Sequence, residues 1–318
     1  MKITEHIKNA KGKTLFSFEL LPPVKGNSIK GIYDAIDPLM EFNPPFIDVT
    51  YHREDYIYKE REDGLLEKVS YRKRPGTVAI CAAIMNRYKV DAVPHLICGG
   101  FTKEETENAL IDLQFLGIDN VLVLRGDARK ADATFVPTPG GHAYASGLLK
   151  QVTQMNQGKY LHQEHDDTFK TDFCIGVAGY PEKHFEAPNM DSDLYFLKKK
   201  IDKGAEYITT QMFFENKHFY NFQEQCKQNG IQVPITPGLK PLTTKKQLTI
   251  IPSIFKVEVP VELSTEIMKA KTEAACDQIG AEWLLAQCKD LLKQDTPILH
   301  FYTLGKPHIV KKVLEQLF

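Results

Sequence analysis

The sequence has no long apolar run and almost no net charge. No uninterrupted stretch approaches the ~20 apolar residues that span a bilayer, and residues 1–6 lack the apolar segment of a signal peptide. The 40 Lys and Arg residues oppose 41 Asp and Glu residues, which gives a formal net charge of -1. This balance excludes a global field that would hold a nucleic-acid backbone or an acidic membrane. We therefore expect a soluble cytoplasmic protein without nucleic-acid or membrane partners.

Motifs that bind metals or nucleotide phosphates are also missing. The cysteines are Cys81, Cys98, Cys174, Cys226, Cys276 and Cys288. They form no CxxC pair, which favours reduced thiols over disulfides. No G-x-G-x-x-G and no P-loop is present. His162, His165, Asp166 and Asp167 have side chains that bind metals, but they lie in a polar stretch without an apolar shell, so we predict no metal site.

Short apolar runs that end in a polar residue recur along the chain. Six such runs occupy residues 15–19, 46–50, 93–96, 121–127, 175–180 and 208–211. Their spacing leaves room for a helix between most of them, and further strands are expected near residues 232–236 and 297–302. This rhythm predicts a single (β/α)8 TIM barrel over residues 1–318, with its site at the C-terminal ends of the strands and no separate regulatory domain.

Helical patterns fill most of the intervals between these runs. Helices are expected near residues 29–40, 55–71, 77–88 and 144–155. Thr77 is a candidate N-cap, and Thr102 with Glu105 matches a capping box. The longest insertion, residues 127–173, has the length of a functional loop.

Side chains alternate between the two faces of a strand, which predicts the ones that face the barrel axis. The residues expected to face the axis are Leu15, Ser17, Glu19, Val121, Val123, Arg125, Asp127, Tyr207, Thr209 and Gln211. Phe16 and Phe18 are expected to face the outer helices. The polar residues that end these strands should therefore meet at one mouth.

The strand ends also carry a series of motifs. These are SFELLPP at 17–23, PHL at 94–96, LRGD at 124–127, AGYPE at 178–182, TQMFF at 210–214 and FYTL at 301–304. In this order the motifs resemble those of methylenetetrahydrofolate reductases, flavin enzymes of one-carbon metabolism. The resemblance implies a barrel that holds FAD, accepts a hydride from NAD(P)H and passes it to 5,10-methylenetetrahydrofolate. The product would be 5-methyltetrahydrofolate, which supplies methyl groups for methionine synthesis.

Glu19 is the candidate catalytic acid for that reaction. The five-membered ring of methylenetetrahydrofolate must open to an iminium before it takes a hydride, and opening requires a proton on the leaving nitrogen. A carboxyl group buried at the top of a barrel has a raised pKa, which keeps a proton available near neutral pH. The alternative is a structural ion pair, although Pro22 and Pro23 supply no obvious cation.

Asp127 is the second candidate catalytic residue. The resemblance implies that it lies against the flavin ring and the folate, where its negative charge would lower the reduction potential of the flavin. Gly126 would permit the backbone to approach the ring closely. As an alternative, Arg125 and Asp127 pair with each other.

The resemblance also assigns binding residues. The positions implied for FAD are Thr50, Tyr51, His95, Arg125, Gly126, Asp127, Tyr144, Ala145, Tyr180, His184, Ala187, Asp193, Lys199 and Lys200. Those implied for the folate are Asp127, Gln211, Gln247 and Lys306. The chain departs from many relatives at Phe196, where they carry Asn, and at Lys199 and Lys306, where they carry Arg. Lysine keeps the charge but loses the planar fork of the guanidinium group.

Two other classes of function remain open on the sequence. One is a different barrel enzyme, such as a flavin-dependent amine oxidiser or an aldolase-type lyase. The other is a folate-binding relative without redox activity that serves as a partner subunit, which intact Glu19, Asp127 and Gln211 disfavour. No ribose-reading motif selects NADH over NADPH. The resemblance favours a homo-oligomer and leaves the number of copies open.

Overall fold

Eight parallel strands close into a barrel in the computed structural model, which describes residues 1–72, 74–128, 132, 134–162, 168–303 and 306–318. The strands in chain order are β1 (Leu15–Leu20), β2 (Phe46–Val49), β3 (Asp55–Glu60), β4 (Leu66–Arg72), β5 (Asp91–Ile97), β6 (Asn120–Leu124), β7 (Cys174–Gly179), β8 (Tyr207–Met212), β9 (Ile235–Leu239) and β10 (Ile298–Tyr302). Around the barrel the order is β1, β2, β5, β6, β7, β8, β9, β10 and back to β1. The predicted TIM barrel is confirmed.

Helices surround the barrel and connect its strands. They are α1 (Ile3–Asn9), α2 (Lys30–Ile36), α3 (Thr77–Tyr88), α4 (Lys103–Phe115), α5 (Ala145–Asn156), α6 (Met190–Ile201), α7 (Asn216–Gln228), α8 (Gln247–Phe255), α9 (Val261–Lys269), α10 (Glu273–Leu292) and α11 (Pro307–Leu314), with a 3-10 helix at Asp37–Phe42. Three helices, α8 to α10, lie between β9 and β10. In the described parts of the chain, no helix has the length and apolar content needed to cross a membrane.

The core has an outer shell and an inner plug. The outer shell packs strand residues such as Phe16 and Phe18 against the helices. The inner plug at the amino end gathers Phe46, Tyr207 and Ile3, the last from α1. Gly176 leaves the space that Tyr207 fills, because a Cβ atom there would lie 2.2 Å from the Tyr207 ring. The fold therefore closes the amino end of the barrel and leaves chemistry to the carboxyl end.

The expected helix over residues 55–71 is wrong. This segment forms β3 and β4, which pair antiparallel as a hairpin. Gly64 has φ +76° and allows the tight turn between the strands. The charged residues indicated a solvated helix, but an exposed hairpin accepts charge equally well, and Tyr56, Ile57 and Tyr58 favour a strand.

Smaller predictions met mixed outcomes. The capping box is confirmed, since Thr102 Oγ1 accepts from Glu105 N at 3.1 Å and Glu105 Oε2 accepts from Thr102 N at 2.7 Å. Thr77 is not an N-cap, because the cap of α3 is Gly76 and Thr77 is buried inside the helix. The seventh barrel strand begins at Ile235, three residues later than expected. All six cysteines are buried and free.

The facing predicted for β6 is also wrong. Val121 and Val123 pack in the outer shell, while Leu122 packs in the inner plug. The chain leaves the strand after Leu124, and Gly126 has φ +82°, so the alternation along the strand does not continue to the polar residues that follow. For β8 the prediction is confirmed, since Tyr207 faces the axis.

Candidate functional site

Four buried polar side chains converge inside the carboxyl half of the barrel. Glu19 of β1 is in register with Asp48 of β2. His95 of β5 lies between their carboxyl groups, with Nε2 3.6 Å from Glu19 Oε2 and 3.4 Å from Asp48 Oδ1. His300 of β10 completes the group, with Nδ1 2.8 Å from Ser17 Oγ and 4.0 Å from Asp48 Oδ2. We call Glu19, Asp48, His95 and His300 the inner cluster.

Burial moves every pKa of the inner cluster toward the uncharged form. Burial raises the pKa of Glu19 to about 7, with His95 opposing the shift and Asp48 adding to it. Burial raises the pKa of Asp48 to about 6, against the attraction of His300. Burial lowers the pKa of both histidines. The cluster therefore holds exchangeable protons near neutral pH, which is the property needed in a general acid.

Two further residues border Glu19 from β9 and β10. Tyr302 is in register with Glu19 and donates a hydrogen bond from its hydroxyl group to Thr210 O at 2.7 Å. Lys240 directly follows β9 and is only 6% exposed. Burial lowers the pKa of its ammonium group to about 8, while the charge of Glu19 opposes the shift. One carboxyl and one amine that both titrate near neutrality thus lie at the same mouth.

Sequence reasoning missed four of these residues. Asp48 and His300 lie inside the expected strands 46–50 and 297–302, so the alternation rule applied to those strands would have placed them on the axis. Lys240 lay beyond the expected end of its strand, because that strand was placed three residues early. Tyr302 was included only as part of a motif.

Arg125 and Glu186 form a bidentate ion pair on the rim. Arg125 Nη1 and Nη2 donate to Glu186 Oε2 and Oε1 at 2.5 and 2.9 Å. The alternative pair of Arg125 with Asp127 is therefore not the one formed. Asp127 is exposed, and its backbone oxygen accepts from Arg53 Nη2 at 2.9 Å.

A second part of the rim joins β7 to α6. The Tyr180 ring meets the His184 ring edge-on, with 4.7 Å between centroids. The backbone N of His184 donates to Asp193 Oδ2 at 2.9 Å. Lys200 Nζ donates to Ala178 O at 3.1 Å, and burial lowers the pKa of its ammonium group to about 8. One lysine at the end of α6, Lys200, thus places its ammonium group at the carboxyl end of β7.

Glu19 and Asp127 lie at the same end of the barrel. Glu19 is near the carboxyl end of β1, Asp127 follows β6, and the eight barrel strands are parallel. Burial raises the pKa of Tyr180, with smaller contributions from the charges of Asp193 and Asp127. Burial likewise raises the pKa of Tyr302, with smaller contributions from Glu19, Asp48 and Tyr180.

Other residues expected at the flavin lie on the same end of the barrel. Thr50 is buried just after β2, and its Oγ1 has no hydrogen-bond partner among the described residues. The Tyr51 ring packs on Phe101 at 4.8 Å between centroids. Tyr144 is the exposed N-cap of α5 and Ala145 its first residue. The backbone N–H of Ala187 donates to His184 O at 3.0 Å.

Two glutamines expected at the folate make contacts within the protein. Gln211 Oε1 accepts from Met212 N at 2.9 Å. Gln247 begins α8. Its Oε1 accepts from Thr243 N at 2.7 Å.

Two lysines of the predicted site have partners nearby. Lys306 Nζ lies 2.7 Å from Asp277 Oδ1. Lys199 Nζ lies over the exposed ring of Tyr195, 4.2 Å from its centroid.

Some residues considered from the sequence lie outside the mouth or outside the described residues. His165, Asp166, Asp167 and Leu304 lie outside the described residues. Among the described ones, no group of three or more His, Cys, Asp or Glu could hold a metal. Phe213 and Phe214, the last two residues of the TQMFF motif, are buried.

A buried cluster that holds protons at the carboxyl end of a TIM barrel is typical of a barrel enzyme. The family model described as methylenetetrahydrofolate reductase matches residues 2–318, and the chain belongs to that family. It is 31% identical to methylenetetrahydrofolate reductase (NADH) 1 of Arabidopsis thaliana over 96% of this chain and 49% of the relative. It is 28% identical to 5,10-methylenetetrahydrofolate reductase of Salmonella typhimurium over 96% of this chain and 90% of the relative.

The extent of these matches differs between relatives. The chain spans about half the length of the plant relatives and most of the length of the bacterial ones. A solved structure of a Clostridium thermocellum protein, described as binding two copies of 5-methyl-5,6,7,8-tetrahydrofolic acid, superposes with TM-score 0.58. That match is 15% identical and covers 99% of this chain and all of the other. It supports the fold alone.

Proposed function

We propose that the chain is the catalytic barrel of an FAD-dependent methylenetetrahydrofolate reductase. It would transfer a hydride from NAD(P)H by way of FAD to 5,10-methylenetetrahydrofolate and release 5-methyltetrahydrofolate. The proposal includes a cytoplasmic enzyme that supplies methyl groups for methionine synthesis and assembles with copies of itself. The observation that carries it is Glu19, a carboxyl group at the barrel mouth whose pKa burial raises to about 7.

The residues at the mouth fit a flavin dinucleotide. Arg125 and Lys200 offer two cations for a pyrophosphate. The guanidinium group of Arg125 binds the Glu186 carboxylate in a bidentate way, and the same geometry suits phosphate oxygens. The buried Thr50 hydroxyl group, which has no partner in the part of the chain that the structure describes, would be available to a ligand. We therefore assign the dinucleotide to the rim from β2 to α6, with His95, Tyr51, Tyr144, Ala145, Tyr180, His184, Ala187, Asp193 and Lys199 as further contacts.

When bound there, FAD supplies the relay that accepts a hydride from the nicotinamide and delivers it to the folate. The protein must supply the proton. We assign this step to Glu19: its carboxyl proton moves to the leaving nitrogen of the folate ring as the carbon–nitrogen bond breaks. The electron pair of that bond stays on the nitrogen, and the remaining iminium carbon is then ready for the hydride. Because Glu19 is 8% exposed, bulk water competes little for the proton.

The other mouth residues orient the folate. Asp127 would face the pterin with its exposed carboxylate, and Gly126 keeps the backbone beside it free of a side chain. Gln211 would offer its amide group to the amide-like edge of the pterin after giving up its contact with Met212 N. Gln247 and Lys306 are assigned to the folate as well, Lys306 to the acidic tail.

The nicotinamide donor is proposed as NADH or NADPH, and a direct measurement chooses between them. The plant relatives are named as NADH enzymes, whereas a Caenorhabditis elegans relative is named as an NADPH enzyme. Each nicotinamide should be mixed without oxygen with the freshly purified protein. The donor is the one that bleaches the flavin absorbance faster.

The same preparation tests the whole function. Bleached flavin should regain its absorbance when methylenetetrahydrofolate is added, and 5-methyltetrahydrofolate should appear in equal amount. A colourless protein that cannot take up FAD would favour an aldolase-type lyase. Flavin that bleaches with the nicotinamide but is not reoxidised by the folate would contradict the proposal and favour an amine oxidiser.

A further inference from the structure

Lys240 is a buried cation that the proposed proton transfer does not use. Leu239, its neighbour, packs in the outer shell. Gly238 faces the axis, because a Cβ atom there would lie 2.6 Å from Cε2 of Tyr302. Side chains alternate along an extended chain, so Lys240 shares the axial face with Gly238. In register, Leu239 pairs with Phe301 and Tyr302 pairs with Glu19, so the buried Lys240 follows β9 at the level of Tyr302 and Glu19.

The groups that face Glu19 come from four elements. They are Asp48 of β2, His95 of β5, Tyr302 of β10 and Lys240 after β9. His95 is the nearest, but burial lowers its pKa and leaves the ring largely neutral near pH 7. Burial also keeps Tyr302 neutral, and Asp48 favours the protonated form of Glu19. Of the described groups that face Glu19, Lys240 is the one that brings positive charge.

The ammonium group of Lys240 has little else to stabilise it. Among the described residues it makes no hydrogen bond and has no carboxylate within 4.0 Å. The nearby cation Lys306 is itself paired with Asp277 and repels Lys240. Removing a cation from water without a partner is costly, so attraction to Glu19 is the main interaction that favours the charged form.

We propose that Lys240 is a positioning residue for the proton donor, whose ammonium group controls how readily Glu19 releases its proton to the folate. The proposal rests on the proposed function for its role in catalysis, but the coupling between the two side chains can be measured on its own. With the cation present, Glu19 is an acid strong enough to give up a proton and weak enough to regain one. Without it, the buried carboxyl group would retain its proton to higher pH and transfer it more slowly.

The direct test measures the titration of Glu19 in Lys240→Met. Methionine has a similar length and no charge, so the variant removes the cation with little change in volume. The holoprotein would be labelled with carbon-13 at the glutamate side-chain carboxyl group, and the Glu19 signal assigned by its loss in Glu19→Gln. The titration midpoint of Glu19 should move to higher pH by a measurable fraction of a pH unit, the usual direction when a nearby opposite charge is lost.

The catalytic readout is the pH profile of the folate half-reaction. In Lys240→Met its alkaline limb should shift upward with the titration midpoint, and the rate on the acid side of that limb should fall. Flavin reduction by the nicotinamide should keep its rate. If Lys240 had only a structural role, Lys240→Met would change rates without shifting the alkaline limb of the pH profile.

Two further variants separate charge from shape. Lys240→Arg keeps the charge and should titrate near the native protein, while Lys256→Met removes an exposed lysine and should change nothing. The inference is overturned if Glu19 in Lys240→Met titrates as in the native protein, or if Lys240→Arg shifts it equally far. Lys240→Gln gives the same comparison if the methionine variant fails to fold. Native protein without a folate half-reaction would refute the proposed function, and the titration would still decide the coupling.

Discussion

His95 Nε2 lies 3.6 Å from Glu19 Oε2, beyond ordinary hydrogen-bond distance but close enough for strong electrostatic coupling. Both groups are buried, and burial moves both toward their neutral forms. Near neutral pH the imidazole is therefore largely neutral, while the carboxyl group is close to its titration midpoint. This state places an available proton, rather than a fixed ion pair, at the mouth of the barrel.

The first prediction concerns Glu19→Gln. The amide keeps the size of the side chain but cannot donate an acidic proton, so transfer to the folate should fall by ~10²-fold or more. Flavin reduction by the nicotinamide requires no such proton and should remain nearly unchanged. Stopped-flow absorbance measures both half-reactions separately. Glu266→Gln, at an exposed position of α9, is the matched control, and equal damage to both half-reactions would count against Glu19 as the acid.

The second prediction concerns the pH dependence of activity. Glu19 must be protonated to act, and burial raises its pKa to about 7. The rate of the folate half-reaction should therefore be highest below neutral pH and fall as the pH rises through about 7. Single-turnover rates across pH, with flavin reduction measured in parallel, check this. A folate half-reaction that instead rises through the same range would exclude Glu19 as the donor.

The third prediction concerns stability at the same residue. Below about pH 4.5, the ordinary value for a Glu carboxyl group, folded and unfolded chains both hold the proton. Between that pH and about 7 only the unfolded chain releases it, so the free energy of unfolding falls as the pH rises. The loss is on the order of 3 kcal/mol. Glu19→Gln removes it, so its Tm should exceed that of the native protein at about pH 8 and match it at about pH 4.

The fourth prediction concerns the cation contributed by α6. Lys200→Met removes an ammonium group assigned to a phosphate of FAD, and loss of one charge-assisted contact should raise the Kd for FAD by ~10-fold or more. Lys203→Met, at an exposed position just beyond α6, should retain the native affinity. Flavin content after dialysis and the Tm increase on adding FAD both measure this. Equal flavin retention in the two variants would place the phosphates elsewhere.

The barrel was predictable because each of its strands is a short apolar run followed by a helix. The hairpin of β3 and β4 was not predictable from the sequence. Its charged residues show no pattern set by core packing, and they fit an exposed helix and an exposed hairpin equally well. At the site, Glu19 was predicted as the polar end of an apolar run, and His95 was predicted through the PHL motif. Asp48 and His300 lie within strands, where a polar residue is costly unless paired, and their partners come from distant parts of the chain.

The last prediction concerns Gly238, the residue that makes room for Tyr302. A Cβ atom at Gly238 would lie 2.3 Å from Thr210 O and 2.6 Å from Cε2 of Tyr302, so Gly238→Ala must displace backbone or ring. We expect it to destabilise the fold by about 1–3 kcal/mol. Gly31→Ala, on α2 with nothing within 4 Å of the added atom, should be neutral or stabilising by up to ~1 kcal/mol.

Denaturant unfolding of the two alanine variants measures the difference. Gly238→Ala should also slow the folate half-reaction, because Tyr302 is in register with Glu19 and its hydroxyl group is anchored on Thr210 O. A ring pushed off that anchor no longer shields the Glu19 carboxyl group from water. Equal stability of the two variants would mean that ring and carbonyl group can both move aside at little cost, and that the close packing of β8, β9 and β10 does not hold the mouth rigid.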